Sequence, residues 1–194
     1  MELADWLNWF RSLPVCLDLQ SIRIVHACWD PGGLDFIDQT LSRKQPFDAQ
    51  FMQRATAVGD PLFDAVERVL KGPEMELPEG VVVTDKDGTA RRRIRIRWFE
   101  SPQGRHLGDY ALPREPNIPG VSVPESAPAV PYPADAPPVF VGHYWLPPRK
   151  PAPLAANIAC LDYSVAKGGL LCGYRFDGES TLSDDRFVTV RSRD

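Results

Sequence analysis

The chain has 194 residues, with 22 Lys and Arg against 26 Asp and Glu, a formal charge of −4 with the three histidines neutral, so a general affinity for polyanions is not the default expectation. At 43% hydrophobic and 25% charged residues, the balance is that of an ordinary globular domain, which argues against bulk disorder and allows one well-buried core. No apolar run approaches the ~18–20 residues that cross a bilayer, and Glu2 and Asp5 stand where a signal peptide would be basic; the chain reads as soluble and cytoplasmic, with no membrane partner.

Leu3, Trp6, Leu7, Phe10 and Leu13 recur at helical spacing until Pro14 ends the pattern, which predicts an amphipathic helix. Residues 21–27 alternate and then turn apolar, as in a buried strand whose end delivers His26 to a loop holding Cys28, Trp29, Asp30, Pro31 and two glycines. Residues 48–58 read as a second helix. Asp60 and Pro61 then supply an N-cap and a first-turn proline for a third, whose apolar face is Leu62, Phe63, Val66, Val69 and Leu70 and which Gly72 and Pro73 stop. Residues 81–84, the Asp-Lys-Asp-Gly turn at 85–88 and residues 91–99 predict a β-hairpin. Strict alternation puts Arg91, Arg93, Arg95 and Arg97 on one face and Ile94, Ile96 and Trp98 on the other.

Of the 20 prolines, 13 fall between Pro113 and Pro153, where they remove backbone donors and forbid continuous helix or central strand. Residues 112–138 therefore read as a long proline-rich loop, either a functional cover or partly disordered. Segments 139–143, 157–163, 169–176 and 186–190 follow as short strands. There is no internal repeat, the helices lie mainly in the first half and the second half is β-rich, so the fold class is α/β in the broad α+β sense. Cys16, Cys28, Cys160 and Cys172 have neither CxxC spacing nor the density of a disulfide scaffold, and read as buried thiols.

His26 and His143 both emerge from strand ends beside small residues, the way a sheet edge presents metal ligands; the alternative is a pair of hydrogen-bonded structural histidines. Arg91, Arg93, Arg95 and Arg97 could form a phosphate-binding face, because guanidinium forks match phosphate oxygens. The competing reading is a solvated face that protects an edge hairpin from aggregation. A nucleic-acid partner is disfavoured by the acidic composition and the lack of RNP-like aromatic motifs. Trp29 and Trp145 either wall a substrate site or fill the core, Tyr163 and Lys167 belong to a packed turn, and His106 sits in a polar loop.

Trp-Phe-Arg-Ser-Leu-Pro at 9–14, Val-His-Ala at 25–27, Val-Gly-His-Tyr-Trp at 141–145, Cys-Leu-Asp-Tyr-Ser-Val-Ala-Lys-Gly-Gly at 160–169 and Tyr-Arg-Phe-Asp-Gly-Glu at 174–179 resemble, in that order, the C-terminal half of calcineurin-like metallophosphoesterases. Within that family they look most like bacterial members of the phosphoprotein phosphatase and diadenosine tetraphosphatase branch. The resemblance implies part of an αββα sandwich with mixed sheets, residues 1–194 forming the C-terminal portion of one domain with the 112–138 loop inside it. It implies that His26 and His143 are ligands of one ion in a two-metal centre of Mn, Fe, Zn, Ni or Mg; Asp162, in the segment behind the last histidine, either packs and forms a turn or orients a ligand histidine. The implied activity is hydrolysis of phosphate monoesters or nucleotide phosphoanhydrides by water activated between ions ~3.5–4 Å apart, on a phosphorylated small molecule or a phosphoprotein.

The family's Asp-x-His, Gly-Asp-x-x-Asp-Arg-Gly and Gly-Asn-His-Glu motifs do not occur here, the nearest string being Gly59-Asp60-Pro61. Two imidazoles cannot hold a two-metal centre, because carboxylates must bridge and partly neutralise the ions. The chain therefore reads as half an enzyme, inactive alone, whose N-terminal half is supplied in cis or in trans. From another class comes a non-catalytic interaction protein on a degenerate phosphatase fold. The metal reading requires the two imidazoles to converge, and the half-enzyme reading expects Trp6, Trp9 or Phe10 to be exposed.

Overall fold

A computed structural model of the chain describes residues 2–41, 47–84, 88–118 and 120–192. In chain order the helices and strands are α1 (Leu3–Ser12), β1 (Cys16–Asp18), β2 (Arg23–Val25), α2 (Pro31–Thr40), α3 (Ala49–Ala55), α4 (Pro61–Lys71), β3 (Glu74–Glu76), β4 (Val83–Thr84), β5 (Ala90–Arg91), β6 (Arg93–Arg95), α5 (Leu107–Tyr110), β7 (Val139–Val141), β8 (Ile158–Cys160), β9 (Asp162–Tyr163), β10 (Leu170–Tyr174) and β11 (Phe187–Arg191). The architecture is mixed α and β, with several small open sheets.

The largest sheet has the order β1-β2-β7-β8; β1 is antiparallel to β2, whereas β2/β7 and β7/β8 are parallel. Strands β7 and β8 are wholly apolar because both of their faces are covered. Val139, Val141, Ile158 and Cys160 enter the main core, while Phe140 and Ala159 face a smaller cluster with Leu182. Each large side chain buried in this way contributes about 1.5–3 kcal/mol, so the centre of the sheet is a rigid base for whatever its strand ends carry. A parallel β2/β7 pair needs a crossover, and that crossover holds all of α2 to α5 together with the two-stranded pairs β3/β6 and β4/β5. An antiparallel sheet of order β11-β10-β9 closes the chain.

Helix α4 forms where its caps demand. The Asp60 carboxylate accepts from the Leu62 N–H at 2.8 Å and from Arg54 Nε and Nη2 at 3.0 and 3.1 Å, and Pro61 occupies the first turn. Its buried side is Leu62 and Val69. Helix α2 replaces the loop expected after Trp29. Pro31 opens it, Leu34 and Ile37 are its buried side, and Gly33 lets it approach α4 so closely that a Cβ would lie 3.3 Å from Val69 Cγ2. Pro-Gly-Gly reads as a turn locally; the α2/α4 contact makes it a helix start.

Three further expectations change. The arginine strand does not pair with residues 81–84 as one hairpin: β6 pairs antiparallel with β3, and β4 pairs only with the two-residue β5. The turn expected at 85–88 lies largely outside the described residues. The proline-rich tract is a cover, not a disordered segment. Ile118 and Val123 are buried, and the Val130 and Tyr132 N–H groups donate to the carbonyls of Trp98 and Phe99 at 2.8 and 3.2 Å. The buried Asn157 side chain ties down its end by donating to Pro133 and Ala136. Cys28 and Cys160 are buried free thiols, but Cys16, on the edge strand β1, and Cys172, on β10, are only half-buried.

No residue of α1 is buried, and the exposed rings of Trp6, Trp9 and Phe10 cluster together, at centroid distances of 5.8 Å for Trp6–Trp9 and 5.2 Å for Trp9–Phe10. Among the described residues no helix is long and apolar enough to cross a membrane.

Candidate functional site

In open sheets, ligand sites form beyond the carboxyl ends of parallel strands, and both histidines leave the sheet there. His26 follows β2 directly and His143 comes two residues after β7. The Gly142 N–H donates to the His26 carbonyl at 2.9 Å, which carries the strand pairing past both residues. The ring centroids are 5.2 Å apart with the planes at 57°. His26 is exposed, whereas His143 is half-buried and its Nε2 is buried with no hydrogen-bond partner.

The backbone holding His143 is strained. His143 and Trp145 have φ of +68° and +50°, in the left-handed region that costs a non-glycine residue about 1–3 kcal/mol. Tyr144 between them opposes that cost: its buried hydroxyl donates to the Ala27 carbonyl at 2.8 Å and accepts from Trp98 Nε1 at 3.0 Å. The Asp162 carboxylate accepts from the N–H groups of Trp145 and Ser164, each at 3.1 Å. Its oxygens thus fold the turn behind the loop on which His143 stands, the turn-forming role open to it in the sequence. From the other side, the Val69 carbonyl of α4 accepts from both Ala27 and Cys28 at 3.1 Å and fixes the backbone just after His26.

Burial, followed by Arg95, His26 and Lys71, pushes the His143 imidazole down to about 4, against an opposing pull from Asp162. It is therefore neutral at pH 7, the form in which a ring nitrogen can accept a hydrogen bond or bind a metal.

His143, Tyr144 and Trp145 line a cleft of about 480 Å³ together with Arg91, Arg93, Arg95 and Lys167. Three of the four arginines thus share a cleft with His143. Arg93 and Arg95 stand opposite Glu76 and Glu74 in the β6/β3 register, with ion pairs of 3.1 and 3.7 Å, and Arg95 Nε donates to the Lys71 carbonyl at 2.8 Å. Arg97 leaves the row. It binds Glu100 at 2.8 Å and the Leu154 carbonyl at 2.6 Å and lies over the Phe99 ring, a structural role. Lys167, expected only in a turn, places Nζ 5.5 Å from the Trp145 ring centroid.

Sequence reasoning missed Glu115, the one carboxylate among the described residues lining the cleft, whose pKa is raised by burial. It also missed Tyr144, whose only local signal is its place between the two strained residues. Trp29 is core, 7% exposed, and His106 is exposed and lines neither this cleft nor the neighbouring hollow. Among the described residues no group of three or more His, Cys, Asp or Glu side chains could hold a metal ion.

The arrangement can bind an anion through its guanidinium and ammonium groups and offers the neutral His143 ring beside it. Comparison with protein-family models, with curated proteins and with solved structures finds no match in any of the three.

Proposed function

We propose that this chain is the C-terminal part of a cytoplasmic calcineurin-like metallophosphoesterase domain, an αββα sandwich completed by a segment outside this sequence, in cis or in trans. The reading is carried by the two imidazoles 5.2 Å apart at neighbouring parallel strand ends, beside a cleft walled by Arg91, Arg93, Arg95 and Lys167. The buried, unpartnered Nε2 of His143 fits a nitrogen ligand awaiting an ion, and His26 would be the second ligand of that ion. A divalent ion there would supply Lewis-acid chemistry at a phosphoryl group. The chain's own residues orient the substrate: the guanidinium groups hold phosphoryl oxygens, Trp145 walls the leaving group, and Tyr144 and Asp162 keep His143 in position.

Alone, the chain binds anions better than cations. Arg91, Arg93, Arg95 and Lys167 in the cleft wall disfavour a divalent ion, Glu76 and Glu74 are engaged with Arg93 and Arg95, and no group of three or more metal-ligating side chains is found among the described residues. This favours a second reading, a non-catalytic anion-binding protein on a degenerate phosphatase fold.

With Mn²⁺ and an activated aryl phosphate, the chain should show no hydrolysis above a His26→Ala, His143→Ala control. Joined to a segment carrying Asp-x-His, Gly-Asp-x-x-Asp-Arg-Gly and Gly-Asn-His-Glu, it should gain metal-dependent turnover that falls about tenfold or more when either histidine is lost. A folded but inactive joined protein would decide for the second reading, and His26-dependent turnover by the bare chain would overturn the half-enzyme view.

A further inference from the structure

A second hollow of about 560 Å³ adjoins the His143 cleft, and Leu112 and Pro113 line both, so the two lie side by side across residues 112–113 as a two-part groove. The second hollow has an apolar floor, including the buried Leu146 and Tyr163 and also Pro147. Its margin carries Arg114, Arg149 and Lys150, with Asp109 the one lining carboxylate among the described residues.

These cations are open to exchange. The Arg114–Asp109 contact is 3.7 Å with side chains 68% and 61% exposed, and Lys150–Asp184 is 3.6 Å with side chains 79% and 54% exposed. Pairs so long and so wet hold little binding energy, so an incoming carboxylate can replace either partner. Both halves of the groove are thus positive in a chain whose net charge is −4, a segregation that selects for an anionic ligand.

Two features select its class. Each hollow already has the volume of a small-molecule site, ~300–1,000 Å³, so a small ligand would fill one and leave the other open. The apolar floor gives a bare polyphosphate nothing to bury, whereas a peptide offers apolar side chains as well as charge.

We propose that the groove binds an acidic phosphopeptide. Its phosphate lies among Arg91, Arg95 and Lys167 beside His143; an apolar side chain rests on the Leu146 and Tyr163 floor, and flanking carboxylates meet Arg114, Arg149 and Lys150. The inference rests on the phosphoester reading at the His143 end, where it selects a phosphoprotein over a small molecule.

The test titrates the full chain with a fluorescent peptide whose central phosphoserine is flanked on both sides by Leu-Glu-Glu, and with free phosphoserine, the unphosphorylated peptide and tripolyphosphate. The phosphopeptide should bind at least tenfold more tightly than phosphoserine. Arg149→Glu with Lys150→Glu should abolish that gain and leave phosphoserine binding within twofold, while Arg175→Glu outside the groove changes neither; unchanged thermal unfolding confirms that the variants fold. Equal affinity for peptide and phosphoserine, or indifference to the double substitution, would overturn the proposal. So would tripolyphosphate binding as tightly as the phosphopeptide with the same sensitivity. If the unphosphorylated peptide binds through Arg149 and Lys150 while phosphoserine does not bind at all, the acidic-peptide surface stands and the phosphoester reading falls.

Discussion

Gly72 ends α4 at φ +80° and ψ 155°, a combination essentially restricted to glycine, and a side chain forced into it costs about 1–3 kcal/mol. A Cβ there would also stand 2.5 Å from the Tyr144 hydroxyl oxygen. That hydroxyl makes two buried hydrogen bonds, to Ala27 and from Trp98, worth about 1 kcal/mol each. Gly72→Ala must strain the backbone and also displace Tyr144, so it should destabilise the protein by about 3–5 kcal/mol. For a chain of this size the melting temperature should fall by about 6–20 °C. Tyr144→Phe alone should cost only about 1 kcal/mol, because Trp98 Nε1 still reaches the Ala27 carbonyl at 3.1 Å. In the Tyr144→Phe background the clashing oxygen is gone, and Gly72→Ala should cost only the backbone strain, a coupling of about 2 kcal/mol between the two sites. Urea unfolding of the wild type, both single variants and the double variant measures this directly. Equal costs of Gly72→Ala in both backgrounds, or a cost below about 1 kcal/mol, would show that Tyr144 is not packed against the end of α4 as described.

His143 is held near 4 in the folded chain, against about 6.5 for a free imidazole. The unfolded state therefore binds more protons between those values, so this residue's contribution is present above pH 6.5 and is lost as the pH falls toward 4; for a half-buried ring it amounts to about 1–2 kcal/mol. The unfolding free energy of a His143→Asn variant should lack that part of the acid-side slope, and superimposable profiles would reject the assignment. Because no residue of α1 is buried, Trp6→Ser with Phe10→Ser should change stability by less than about 0.5 kcal/mol. The same pair should reduce concentration-dependent self-association in sedimentation, and a wild type that is monodisperse at high concentration would count against this.

What the sequence determined by itself is what short-range chemistry can encode. Helical spacing from Leu3 to Leu13, the Asp60-Pro61 start of α4 and the short strand β7 are signalled within a few residues, and each is found where local reasoning puts it. Partnership and register are different, because they are decided by side chains far away in the chain. Nothing near Arg93 and Arg95 indicates that their strand pairs with Glu74 and Glu76 instead of residues 83–84, or that Arg97 turns away to Glu100 and Leu154. Asp30-Pro31 carries the same local start signal as Asp60-Pro61, but the two glycines after it oppose a helix, and the folded chain sets Gly33 against Val69 of α4. The histidines could each be read at a strand end, but their approach to 5.2 Å across 117 positions of sequence exists only because β2 and β7 are parallel neighbours. The groove beyond them needs residues 112–113 to stand between two hollows. Hydrogen bonds and periodicity act along the chain, but a cleft is a relation between distant segments, and packing alone chooses which segments meet.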